Sequence, residues 1–176
     1  MNIQHSSRSD EWYTPVNVLD RVRQVLTRID LDPASTEKAN AAVGAKRFYT
    51  RHDDGLKQTW SGSMFINPPG GKRGNRSMTG LFWEKLLSEL ERGLIEHAIF
   101  LCFSVEALQS TQRYQKSVGD FPFCVPSKRI AFVPGFAGVA TQPSHSNAIV
   151  YVPGTEDETE LFESVFSTLG KVIVPA

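Results

Sequence analysis

Met64-Phe65-Ile66-Asn67-Pro68-Pro69-Gly70-Gly71-Lys72-Arg73-Gly74 is the stretch on which the reading of this chain turns. Three consecutive apolar residues predict a short buried strand. The two prolines end it, because neither can donate to a sheet ladder. A strand that stops at Asn-Pro-Pro leaves an amide side chain and a proline-fixed carbonyl at the mouth of a sheet. Both offer acceptor oxygens suited to an amino group. The glycines and cations that follow predict a mobile basic loop able to track phosphate through Lys72, Arg73 and Arg76. A Walker-type phosphate loop is ruled out by spacing, since it needs Gly where Ile66 stands and Ser or Thr where Arg73 stands.

Outward from that stretch, the period of the apolar residues separates helices from strands. Val18, Leu19, Val22, Val25 and Leu26 recur at helical spacing. Thr14-Pro15 reads as the start of that helix, with Thr14 as N-cap and Pro15 in the first helical position. Ile29-Asp30-Leu31-Asp32 is a strand candidate stopped by Pro33, after which Ser35 or Thr36 can cap a brief helix through Ala39–Ala45. Leu81, Phe82, Leu86 and Leu90 give an amphipathic helix from about Thr79 to Arg92, ended by Gly93. The run from His97 to Phe103 has the continuous apolar character of a central strand covered on both faces. Further strands are expected at Phe121–Val125, Ile130–Val133, Ala148–Val152 and Lys171–Val174, with a last helix at Glu160–Leu169. The alternation predicts an α/β fold whose sheet is mostly parallel, with antiparallel strands on the C-terminal side.

The 176 residues suit one domain, and 40% hydrophobic residues with eleven Phe supply material for a core. Residues 1–10 read as a flexible N-terminal segment and 11–176 as a single domain. No apolar stretch approaches the ~20 residues of a membrane span, and no signal-peptide pattern opens the chain, so the expectation is a cytoplasmic protein. Cys102 and Cys124 lack CxxC spacing and stand among apolar residues, which predicts buried free thiols. His5, His52, His97 and His145 show no ligand spacing, so no metal site is expected. Basic and acidic residues balance at 19 each, which argues against a non-specific DNA coat but leaves room for local basic rims, among them Lys128-Arg129.

Three segments gain meaning when taken together: Trp12-Tyr13-Thr14-Pro15, Leu31-Asp32-Pro33-Ala34-Ser35 and Phe65-Ile66-Asn67-Pro68-Pro69. In this order and spelling they resemble the amino-directed DNA methyltransferases, and most closely the compact phage DNA N6-adenine methyltransferase (Dam-like) family. Phe48-Tyr49, Asp54-Gly55-Leu56, Trp60 and Gly62 resemble that family's connecting segment, and Pro143-Ser144-His145-Ser146-Asn147 its C-terminal part. The resemblance implies a compact Rossmann-like, S-adenosylmethionine-dependent methyltransferase fold. It implies S-adenosylmethionine as cofactor, double-stranded DNA with a flipped target base as partner, and action in the cytoplasm of a bacterial host cell.

The resemblance also assigns roles. Asn67, Pro68 and Pro69 become the catalytic residues. Trp12, Tyr13, Thr14, Pro15, Asp32, Pro33, Ala34, Ser35 and Asp54 become the cofactor residues, with Asp53 a near equal of Asp54. A carboxylate at Asp32 can meet an ammonium, and aromatic faces at Trp12 and Tyr13 can meet cationic groups. Lys72, Arg73, Arg76 and Arg129 are the DNA-contacting candidates. His145 either joins them or caps the strand that starts at Ala148. The chain departs from the family pattern in two places. Gly70 stands where an aromatic residue stacks on the target base, leaving Phe82, Trp83 and Phe132 as replacement rings. The stretch between Asp32 and Asn67 is also short, which predicts a reduced strand–helix unit. Cytosine N4 as the target amine, or a catalytically silent DNA- or cofactor-binding protein, remain alternatives. Oligomeric state and recognition sequence are not legible.

Overall fold

A computed structural model describes residues 12–102, 107, 109, 111–134 and 146–176. The alternation of buried side chains along one strand, Ile95–Cys102, sets the layers. Ile99 and Leu101 enter one core, while Ala98, Phe100 and Cys102 enter the other. A strand covered on both faces needs helices on both sides, and the chain supplies them. The elements, in order, are β1 (Trp12–Tyr13), α1 (Val16–Leu26), β2 (Leu31–Asp32), α2 (Glu37–Val43), β3 (Arg47–Phe48), β4 (Gly62–Ile66), β5 (Lys72–Arg73), β6 (Arg76–Ser77), α3 (Met78–Glu91), β7 (Ile95–Cys102), β8 (Phe123–Pro126), β9 (Val133–Pro134), β10 (Ala148–Pro153), α4 (Thr159–Phe166) and β11 (Gly170–Ile173). On one face Val18, Leu19 and Val22 of α1 pack with Phe162 and Phe166 of α4; on the other Phe82, Trp83 and Leu86 of α3 pack with Trp60. Leu19 and Val22 are fully buried, each worth roughly 1.5–3 kcal/mol of transfer free energy.

The main sheet has seven strands in the order β11-β8-β10-β7-β4-β2-β3. β3, β2, β4 and β7 are mutually parallel, whereas β10 is antiparallel to both β7 and β8, and β11 to β8. The fold is therefore α/β, with a parallel part and antiparallel C-terminal strands. The chain leaves β2 for the edge strand β3, then returns to β4 on the other side of β2. Strand order reverses there, and in open α/β sheets ligands bind beyond the carboxyl ends of the strands at such a point. The link from β3 to β4 contains one turn of 3-10 helix, Gly55–Lys57, in place of a full helix, in keeping with the short spacing.

Several local expectations are corrected. Thr14 is not the N-cap of α1. Pro15 takes that position, its carbonyl accepting from the Val18 N–H at 3.0 Å, because the Thr14 side chain is engaged elsewhere. The expected strand Ile130–Val133 shrinks to β9, which pairs antiparallel with β1 while Ile130 and Phe132 turn into the core. The strand expected at Ile29–Asp32 narrows to β2, since Asp30 spends its carboxylate on Arg28, Lys46 and the Ser63 N–H. The basic stretch after Asn67 is no mobile loop but a β5–β6 hairpin, paired Lys72↔Ser77 and Arg73↔Arg76. Gly74, with φ 60°, takes the first turn position, where a two-residue hairpin needs a left-handed residue. Cys102 and Cys124 are buried free thiols as expected, and burial pushes them up to about 12 and about 11.

Candidate active site

The carboxyl ends of β2 and β4 open into a cavity of about 470 Å³, a size typical of small-molecule sites. The parallel register Leu31↔Met64 brings Asp32 and Asn67 to the same end of the sheet. Trp12, Tyr13 and Thr14 line the cavity, as do Asp32 through Ser35, Asp54, and Asn67 through Pro69. Pro15 does not; its role is to start α1. The three motif segments, far apart in sequence, thus converge on one space.

Asn67 follows β4 directly, and its side chain is held from one side. Its Nδ2 donates to the Trp12 carbonyl at 3.1 Å and to the Thr14 Oγ1 at 3.2 Å. A peptide carbonyl can only accept, so the amide nitrogen must face β1. The amide oxygen, Oδ1, is buried and has no hydrogen-bond partner among the described residues. Leaving a buried acceptor unmade costs roughly 1–3 kcal/mol, which is tolerable where a ligand donor completes it.

Asp32 ends β2 with only 2% of its surface exposed. Its Oδ1 accepts from the Ala34 N–H at 3.1 Å, and no ion pair engages it among the described residues. Burial pushes its carboxyl up to about 6, although the Ala34 N–H and the Ser35 side chain favour the ionised form. A carboxylate desolvated in this way, on a cavity wall, is prepared for a cationic group.

Of the two neighbouring acids, Asp54 lines the cavity, while Asp53 closes a local turn by accepting from the Thr50 N–H and hydroxyl. Asp54 sits in left-handed backbone, φ 51°, a strained setting for a non-glycine residue. Arg73 from the β5–β6 hairpin grips it with two hydrogen bonds, at 3.0 and 3.3 Å, and chiefly through them holds its carboxyl below the usual range. Two residues expected to meet cofactor and DNA separately therefore meet each other. The next residue, Gly55, stands in the sequence only as part of the connecting segment, with no role assigned to it. A Cβ there would lie 2.0 Å from the Pro33 carbonyl oxygen, so only glycine lets this turn approach the end of β2. The Asp-Gly dipeptide was the available signal.

Of the rings proposed to replace the absent aromatic at position 70, Phe82 borders the cavity while tilted against Trp60 at 5.6 Å between centroids. Trp83 and Phe132 do not border it. Trp83 is edge-on to Phe100 and Phe121 in the core and donates to the Lys116 carbonyl at 2.9 Å, and Phe132 is buried in the opposite core. Tyr13 and Tyr49 join Trp12 as half-buried rings on the cavity wall. One face of Tyr13 is occupied by the Lys38 ammonium, 5.5 Å from the ring centre.

Lys72 and Arg73 reach the cavity rim. Arg76 faces away from it, donating to Glu84 at 2.6 Å and to the Tyr114 hydroxyl at 3.1 Å. Arg129 lies exposed between β8 and β9, outside the cavity wall, and His145 lies outside the described residues. Nearby, Asn147 accepts from the Ile130 N–H at 3.1 Å. Among the described residues no group of three His, Cys, Asp or Glu side chains is placed to hold a metal ion, and no helix is long and apolar enough to cross a membrane.

Fold and cavity together define an α/β protein with a candidate site at a strand-order reversal, whose wall carries an amide oxygen and a carboxylate that, among the described residues, meet no hydrogen-bond donor and no cation respectively. A family model, DNA N-6-adenine-methyltransferase (Dam), matches residues 2–169. The chain belongs to that family. No curated protein and no solved structure matches it.

Proposed function

We propose that the protein transfers a methyl group from S-adenosylmethionine to the N6 amino group of adenine in double-stranded DNA. The observation that carries this reading is the buried Oδ1 of Asn67, which has no hydrogen-bond partner among the described residues, on a cavity wall that Pro68 continues. An exocyclic amine on a purine is a weak nucleophile because its lone pair is delocalised into the ring. Two fixed acceptors, Asn67 Oδ1 and the Pro68 carbonyl, would take its two N–H bonds and turn the lone pair out of the ring plane. The gain is one of positioning and pre-oriented dipoles rather than of a strong base.

The residues present also fit the cofactor. Asp32, buried with no cation beside it among the described residues, suits the ammonium of its methionine part, and Trp12 and Tyr13 offer aromatic walls. Bound there, S-adenosylmethionine supplies a methyl group on an electron-poor sulfonium. Lys72 and Arg73 at the rim suit DNA phosphate.

The test is transfer of labelled methyl to unmethylated duplex DNA. Transfer to adenine is expected, with Asn67→Ala slower by about 10²–10³-fold, the scale for removing one oriented polar group at a reacting centre. Equal rates for variant and wild type would sink the reading. Transfer to cytosine instead would move the target to N4. A second reading, a silent member that binds cofactor or DNA only, is favoured by Gly70, which brings no ring to stack on a base. Cofactor binding by calorimetry without any methyl transfer would establish it.

A further inference from the structure

We propose that Thr14 and the Trp12 carbonyl form a positioning element that fixes the Asn67 amide for reaction, an inference that rests on the function proposed above. The two hydrogens of Nδ2 meet two acceptors, the Trp12 carbonyl at 3.1 Å and Thr14 Oγ1 at 3.2 Å. A flipped amide would set oxygen against the Trp12 carbonyl oxygen and leave two N–H bonds unmade. One orientation therefore wins, and it is the one that leaves Oδ1 as an acceptor.

The element is rigid for reasons visible in the fold. The pairing Trp12↔Pro134 and Tyr13↔Val133 anchors β1. Thr14 is 7% exposed, and Pro15 starts α1 immediately after it. Thr14 is thus reassigned from a cofactor contact to a residue acting through Asn67. A second consequence concerns residue choice. A carboxylate at position 67 would push a negative oxygen against the Trp12 carbonyl, so this site requires the amide and accepts an acid only when it is protonated.

Thr14→Val keeps the shape and removes the acceptor; Thr14→Ser keeps the acceptor. With Thr14→Val, kcat is expected to fall on the order of tenfold while cofactor Kd changes by only about twofold, because valine keeps the shape of the cavity wall. Thr14→Ser should recover most of the rate. Asn67→Asp should lose activity at neutral pH and regain part of it, relative to wild type, as pH falls. The side-chain amide signals of Asn67, assigned by their loss in Asn67→Ala, report orientation without catalysis. They should be protected from exchange in wild type and shifted in Thr14→Val. Unchanged amide signals and rate in Thr14→Val would overturn the inference, as would a loss of cofactor affinity matching the loss of rate. A wild type that holds its amide through Thr14 yet transfers no methyl would instead overturn the proposed function and leave the orienting contact standing.

Discussion

Glu89 on α3 and Asp32 at the end of β2 are both almost wholly buried, at 1% and 2% exposure, yet their surroundings are opposite. Glu89 is met by Lys85 at 2.5 Å and Arg92 at 2.6 Å, one turn away on either side. Helical spacing places those partners next to it without help from the rest of the fold. Asp32 has a backbone N–H and a neighbouring serine, and burial raises its carboxyl to about 6. A buried charge neutralised by its own helix is complete in the free protein. One that meets no cation among the described residues, on a cavity wall, leaves room for a cationic ligand, and that difference separates the scaffold from the candidate site.

The comparison breaks most visibly at Asp32→Asn. Asparagine keeps the acceptor for the Ala34 N–H and discards the charge, so affinity for S-adenosylmethionine should fall by a factor on the order of 10 to 100, measured by calorimetry. The stability of the free protein should move the other way. Because the folded carboxyl titrates near 6 rather than at about 4, the folded chain holds a proton through that window which the unfolded chain has lost. Wild-type stability therefore drops as pH rises through the window. Above it the variant should be more stable by on the order of 2–3 kcal/mol. Cofactor affinity in the wild type should weaken below pH about 6, as Asp32 protonates. A variant that binds cofactor normally, or is less stable, would erase the contrast.

Glu89→Gln sharpens it from the other side. Cofactor affinity should be unchanged and stability reduced by about 1–2 kcal/mol in denaturant unfolding, since both partner cations retain access to water. The smallest effect is expected at Gly70→Tyr. Nothing lies within 4 Å of a Cβ built there, so a ring can be added without strain. It should lower KM for DNA by a few fold, about the 1 kcal/mol of one extra stacking contact, and leave cofactor affinity alone.

Much of this was legible before the structure. The period of Val18, Leu19, Val22, Val25 and Leu26 gave α1 because a helix that packs on one face must repeat every three to four residues. The unbroken apolar run gave β7, and Asn-Pro-Pro gave the end of β4. Misreadings fell where a side chain had two possible employers. Thr14 looked like a helix cap because Thr-Pro is a local signal, yet its hydroxyl serves a residue 53 positions away. Trp83 and Phe132 were rings of the right type, but burial in two separate cores took them away from the cavity.

The sequence by itself determined the main helices and the central strands, the two-sided burial of the sheet, the buried cysteines and the three segments that line the cavity. Those features follow from short-range periodicity, turn chemistry and residue type. Tertiary structure alone decided which groups meet: the Asn67 amide with Trp12 and Thr14, Asp54 with Arg73 across 19 residues, and Gly55 against Pro33. Such pairings depend on where the sheet reverses its order and on how closely two backbones approach, and neither is written in the local propensities of the residues concerned.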